Sequence, residues 1–234
     1  MLSLEPCKHE RGPLRILCLG AHADDIEIGC GGTILRLLDQ YTPTIVHWVV
    51  FSANSERASE ANRSAQMFLA AAQHKAITIK NFRESFFPYQ AAEIKEYFEE
   101  LKGLAFPHLI FTHYREDLHQ DHRLISELTW NTFRDHFISE YEILKYDGDL
   151  GIPNFFVYLT AATCKKKIEV IINCFVSQRS KVWFSEETFR SLLRIRGVES
   201  QSPSAYAEAF HCRKIAFLQN PLASVPSQQE KVTP

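Results

Sequence analysis

Leu14-Arg15-Ile16-Leu17-Cys18-Leu19-Gly20, followed at once by Ala21-His22-Ala23-Asp24-Asp25, is the stretch that decides the architecture. The first part is apolar almost throughout and lacks polar alternation, which reads as a strand covered on both faces. The abrupt change to an imidazole and two carboxylates marks its carboxyl end. Working outward, apolar runs recur at Thr44–Phe51, Ala76–Lys80, Leu109–His113 and Tyr141–Lys145. They alternate with helical periodicity at Gly31–Gln40, Glu56–Gln73, Glu93–Gly103 and His122–Phe137. Strand and helix in alternation build crossover units, so the sequence predicts an α/β, doubly wound, Rossmann-like and mostly parallel sheet.

After Gly148 the texture changes. Gly151, Pro153 and Asn154 mark a loop, helices are expected at Cys164–Ser177 and Glu186–Arg196, and a short β-like run at Lys214–Leu218. Such a segment is poor in strands and reads as a C-terminal helical cap on the sheet. The expected organisation is one domain over residues 14–220 between tails at 1–13 and 221–234.

Composition bounds the function classes. Hydrophobic residues make up 45% of the 234 and charged residues 23%, the balance of a folded globular chain. Lys plus Arg total 26 against 28 Asp plus Glu, and the one charge run is Lys165-Lys166-Lys167. Without a basic stripe, neither nucleic acid nor an acidic membrane surface is an expected partner. The six cysteines contain no Cys-x-x-Cys pair and read as reduced thiols. The longest apolar run, Thr44 to Ala53, falls short of the ~18 residues a membrane span needs, and Lys8, Glu10 and Arg11 open the chain without an apolar signal region. A cytoplasmic location is expected.

In an open α/β sheet the ligand site lies beyond the carboxyl ends of the strands. There the first run ends in His22, Asp24 and Asp25, and adjacent carboxylates are costly to bury without a compensating cation. If His22 and Asp25 turn toward one ion, Asp24 faces the open coordination position. The competing reading makes Asp24 or Asp25 a helix cap and Gly29, Gly31 and Gly32 a tight turn. The glycines fit no phosphate loop. A second polar cluster follows the fourth run: His113-Tyr114-Arg115-Glu116-Asp117-Leu118-His119-Gln120-Asp121-His122-Arg123. Two histidines and an aspartate from it can complete a His-Asp-His site and leave an acid–base pair. Zinc suits such ligands, with the fourth position left for water.

At these residues the chain resembles the LmbE-like or PIG-L family of zinc-dependent N-deacetylases. Ala21-His22-Ala23-Asp24-Asp25-Ile26-Glu27, running into Gly31-Gly32-Thr33, looks like that family's opening motif, and His119-Gln120-Asp121-His122 like its second. Arg57, Glu60, Ala65 to Leu69 and Tyr206-Ala207-Glu208-Ala209-Phe210 also resemble family positions. Ala23 and Gln120 replace the prolines usual in the two motifs. The resemblance implies that His22, Asp25 and His122 bind Zn²⁺, with Fe²⁺ or Co²⁺ as competitors for the same site. It implies further that Asp24 is the general base, and that His119, oriented by Asp121 and favoured by it in the charged form, is the general acid or oxyanion stabiliser. Arg57 and Asp117 are expected to contact substrate, although Arg57 also suits a helix-surface ion pair with Glu56 or Glu60, and Asp117 also suits support of His119. Asn81-Phe82-Arg83-Glu84 departs from the family's aspartate at that place. His47, His74, His108, His136 and His211 read as core or surface histidines, and Trp183 as packing.

The implied function is removal of an N-acyl group, chiefly acetyl, from an amino sugar or its glycoside, nucleotide or lipid conjugate. The alternatives are a metal-dependent amidase on another small amide and a non-catalytic sugar- or nucleotide-binding module. Homo-oligomerisation is left open.

Overall fold

The computed structural model describes residues 12–104 and 106–215; the expected tail at 221–234, and all but the last two residues of the one expected at 1–13, lie outside the described residues. Five strands, β1 (Leu14–Gly20), β2 (Thr44–Val50), β3 (His74–Ile79), β4 (Leu109–His113) and β5 (Phe137–Tyr141), form a parallel sheet. Helices α1 (Asp25–Gln40), α2 (Ser55–Phe68), α3 (Ala91–Leu104) and α4 (Gln120–Thr132) connect them. Two further strands, β6 (Phe155–Leu159) and β7 (Tyr206–Cys212), extend the same sheet, with β7 antiparallel to both β5 and β6. The order is β3-β2-β1-β4-β5-β7-β6. Chain direction therefore diverges between β1 and β4, whose carboxyl ends open the crevice where doubly wound sheets bind ligands.

The apolar runs divide the core by strand parity. Leu17 and Leu19 of β1, Val49, Ile110 and Ile138 pack with Tyr97, Phe98 and Ile125 of α3 and α4. Ile16 and Cys18, Val46, Trp48 and Phe111 face the other way, toward α1 and α2. The expected C-terminal helices are present as α5 (Ala161–Cys174) and α6 (Glu186–Glu199), and they share this second core.

Several boundaries differ from the sequence expectation. The parallel strand after α4 is Phe137–Tyr141, not Tyr141–Lys145, and α4 stops at Thr132. Ser139 and Glu140 disguise this strand as polar, yet both are buried, as is Glu142 just beyond it. Glu140 accepts from the Arg115 amide and the Trp130 indole, and Glu142 from the Arg196 guanidinium. The apolar β6 went unread after the loop at 151–154, and β7 escaped for a reason related to that of β5. Glu208, in the middle of β7, accepts the amides of Gly32 (2.7 Å) and Thr33 (2.6 Å) and the Lys167 ammonium (2.6 Å), which also donates to the Ile28 carbonyl. This buried pair fastens β7 and α5 to α1, the helix that begins at the candidate site. Lys214 and Ile215 form no strand, and the rest of that expected run lies outside the described residues.

Helix α1 begins at Asp25, so Gly29, Gly31 and Gly32 are interior helical residues rather than a turn. Their role is close approach. A Cβ on Gly29 would stand 2.2 Å from the Tyr141 ring, whose hydroxyl donates to the Leu19 carbonyl. Gly29→Ala is therefore expected to destabilise the fold by about 1–3 kcal/mol through overpacking, visible as a Tm lowered by about 2–4 °C per kcal/mol for a domain of this size. An unchanged Tm would show that Tyr141 has room to move.

Candidate metal centre

Asp24 is the residue before α1, but its side chain makes no capping bond. Asp25 instead turns back, and Oδ2 accepts the His22 amide at 2.6 Å. The sharp return brings three donor atoms together. His22 Nδ1 lies 3.1 Å from His122 Nε2 and 3.5 Å from Asp25 Oδ2, and His122 Nε2 lies 3.6 Å from Asp25 Oδ2. A tetrahedral ion with donors at about 2.0–2.2 Å spaces its ligand atoms about 3.3–3.6 Å apart, so the triangle has the right size.

The far side of each imidazole fixes which nitrogen carries the proton. His22 Nε2 stands 3.1 Å from Asp121 Oδ2, and His122 Nδ1 stands 2.9 Å from Asp117 Oδ2. Each carboxylate holds an N–H, which turns the opposite nitrogen's lone pair into the triangle. Burial, with His113 close by, drives the His122 pKa down to about 3, the neutral state a ligand requires. Burial pulls the His22 pKa down as well, but its bond to Asp121 and the nearby Asp25 and Glu84 outweigh this and raise it. The surrounding carboxylates thus favour positive charge at His22 Nδ1, for which a proton and a metal ion compete. Asp25 is held well below the usual carboxylate range, because His122, His113 and His22 outweigh its burial. Arg57 pairs with Asp24 and Lys145 with Asp117, while Asp25 and Asp121 have no Lys or Arg partner among the described residues. Two such buried charges match a divalent cation.

His119 caps α4, its Nδ1 accepting the Asp121 amide at 3.2 Å. Its proton therefore resides on Nε2, and one ring nitrogen lies within 4.8 Å of those of His22 and His122. One expectation needs correcting here. The Asp121 carboxylate bonds His22 and the amides of Ser85 and Phe87, so it does not orient the His119 ring. Burial and the nearby His22 lower the His119 pKa, outweighing Asp121, which does favour the charged ring, as do Asp25 and Asp117. Of the two roles expected for Asp117, support of His119 is the one its contacts show, through the His119 amide, and substrate contact is not. Asp117 is 2% exposed, and its oxygens serve His122, the His119 amide (2.7 Å) and Lys145 (3.0 Å), leaving none for substrate.

Arg57 is buried on α2 rather than on its surface. It donates to Asp24 Oδ1 at 2.7 Å and lies 3.5 Å from Glu84. Asp24 Oδ2 is buried without a partner among the described residues. Burial raises the Asp24 pKa, opposed by Arg57.

Sequence reasoning missed His113, Tyr141, Lys145 and Asp149. His113 Nε2 meets the Ala21 amide at 2.9 Å and Asp25 Oδ2 at 3.2 Å, and its ring stacks on His122. The parity of β4 offered a signal, because His113 shares the inward face of Phe111. Lys145 and Asp149 carried none.

The fold and site together define an α/β protein of Rossmann-like architecture whose crevice holds a two-histidine, one-carboxylate triangle that could bind a metal ion. The model of the GlcNAc-PI de-N-acetylase (PIG-L) family matches residues 17–133, half of the chain and both clusters, and the chain belongs to this family. Among solved structures, N,N'-diacetylchitobiose deacetylase from Pyrococcus horikoshii is similar at 19% identity and TM-score 0.62, over 85% of this chain and 83% of that one. The zinc-inhibited form of the teicoplanin deacetylase Orf2 matches at 13% identity and TM-score 0.65, over 85% and 97%. The 4-carboxy-2-hydroxymuconate hydratase GalB from Pseudomonas putida matches at 15% identity and TM-score 0.67, over 89% and 99%. At these identities the likeness is one of fold.

Because Asp121 bonds His22 and not His119, Asp121→Asn is expected to weaken Zn²⁺ binding by about 10–100-fold, measured by competition with a chromogenic chelator. Wild-type affinity in that variant would separate Asp121 from the metal ligands.

Proposed function

We propose that this chain is a zinc-dependent N-deacetylase that removes an acetyl or other short acyl group from an amino sugar or its glycoside, nucleotide or lipid conjugate. The observation carrying the proposal is the triangle of His22 Nδ1, Asp25 Oδ2 and His122 Nε2 beside an Asp24 oxygen without a partner among the described residues. When bound by these residues, Zn²⁺ supplies a Lewis acid for the amide carbonyl and a water acidified to a pKa of about 7, and Fe²⁺ or Co²⁺ suits the same donors.

The remaining chemistry belongs to the chain. Arg57 fixes Asp24 through Oδ1 and leaves Oδ2 to take the proton of the attacking water. Burial strengthens Asp24 as a base, while Arg57 keeps the rise moderate. An amine leaves poorly until protonated, and the proton gained by Asp24 is the one available to return. His119, neutral and protonated on Nε2, offers that N–H to the developing oxyanion, a role that needs no charge on the ring. Arg57 Nε, buried and without a partner among the described residues, is a further donor beside Asp24.

The hydratase of similar fold shows why products, rather than architecture, decide the reaction. Zinc-loaded protein incubated with a panel of N-acetylated sugars, glycosides, nucleotide sugars and lipid-linked amino sugars is expected to release acetate and free amine in equal amounts. Asp24→Asn is expected to keep its zinc by elemental analysis while turnover falls about 10²–10⁴-fold. Turnover within a fewfold of wild type would remove Asp24 from the mechanism, and absence of amine across the panel would overturn the deacetylase reading.

A further inference from the structure

The turn Asp117-Leu118-His119 carries the cap of α4 and leads directly into His122, and it is braced from a distant segment. Lys145, four residues past β5, places Nζ 3.0 Å from Asp117 Oδ2 and also bonds Asp149 Oδ2. Asp149 Oδ2 in turn accepts the Leu118 amide at 2.7 Å. Asp117 accepts His122 Nδ1–H on one oxygen and the His119 amide on the other. The ammonium thus stands between two carboxylates that are 2–3% and 6% exposed at their side chains or residues, one reaching a candidate metal ligand and the other the backbone of the turn. Arg123 completes the turn by donating to the Asp117 and Leu118 carbonyls.

We infer that Lys145 is a positioning residue for the metal centre: by pairing Asp117 and Asp149 it locks the 117–119 turn to the 145–149 segment and holds the His122 ring in its ligand orientation. This inference rests on the metal-centre reading above. Without the ammonium, two buried carboxylates face one another uncompensated. They separate, and His122 Nδ1–H loses a fixed acceptor. The same tie makes residues 145–149, at the edge of the crevice, sensitive to metal binding, because coupling between two sites is reciprocal.

The sign of the effect separates this role from simple electrostatics. Lys145 is a cation near the place of a cation, so Coulomb repulsion alone makes its removal tighten Zn²⁺ binding. A brace makes its removal weaken binding. Zn²⁺ affinity of the full chain is measured by chelator competition for wild type, Lys145→Met, the milder Lys145→Gln and His122→Ala, with thermal unfolding of each metal-free protein as the control for folding. The expected result is an affinity about 10–100-fold weaker in Lys145→Met and Lys145→Gln, with folding retained in at least the Gln variant. If His122→Ala loses zinc while both Lys145 variants bind as tightly as wild type or tighter, the brace is overturned and the metal-centre reading stands. If His122→Ala itself binds as wild type does, the metal-centre reading fails, and the brace with it.

Discussion

Three electron-rich atoms, His22 Nδ1, Asp25 Oδ2 and His122 Nε2, meet at the carboxyl end of β1 once Asp121 and Asp117 have taken the outer N–H groups of the two histidines, so that a proton on His22 Nδ1 or a cation is what can lie between them. Such a meeting is repulsive by itself, and it persists because much of the molecule is arranged to hold it. The divergence of β1 and β4 brings the two motifs to one crevice. The Asp25 carboxylate folds back on the His22 amide, and Glu208 with Lys167 anchors the helix that Asp25 begins. Each device is buried and polar. Each carries a desolvation cost that is offset only if its partners are complete. A divalent cation at the triangle completes the last of them.

That constraint also orders the roles of the acids. Four aspartates lie around the site, yet each has a different set of contacts. Asp25 offers a donor atom, while Asp117 and Asp121 serve the histidines from behind. Asp24 alone retains a buried oxygen without a partner among the described residues. Charge type does not distinguish them. What distinguishes them is the contacts each makes, and Arg57 sets those of Asp24 by occupying its other oxygen.

The legible part of the sequence was the part governed by local pattern. Continuous apolar runs gave β1, β2 and β4 closely, and the polar clusters at the ends of β1 and β4 pointed to the crevice. Where burial is polar, pattern misleads: Ser139 and Glu140 hid the true extent of β5, and Glu208 and His211 hid β7, although every one of them is buried. Glycine misled in the opposite sense. The sequence starts the first helix only at Gly31, six residues late, and leaves Gly29, Gly31 and Gly32 open to a tight-turn reading, because their helical role depends on Tyr141, Phe68 and Leu159, which lie far along the chain. The same limit governs the site. His22, Asp24, Asp25 and His122 were evident from their clusters, but that Asp121 holds His22 rather than its neighbour His119 is a contact across 99 residues, which spacing does not encode. Lys145 and Asp149 lie in a loop where no periodicity operates.

The central claim is that His22, Asp25 and His122 share one ion. Anomalous diffraction at the zinc edge from crystals of the zinc-loaded protein tests it directly. The account predicts one strong peak per chain within about 2.0–2.2 Å of His22 Nδ1, Asp25 Oδ2 and His122 Nε2. A peak held by other residues, or one from which the Asp25 carboxylate has turned away, would contradict it.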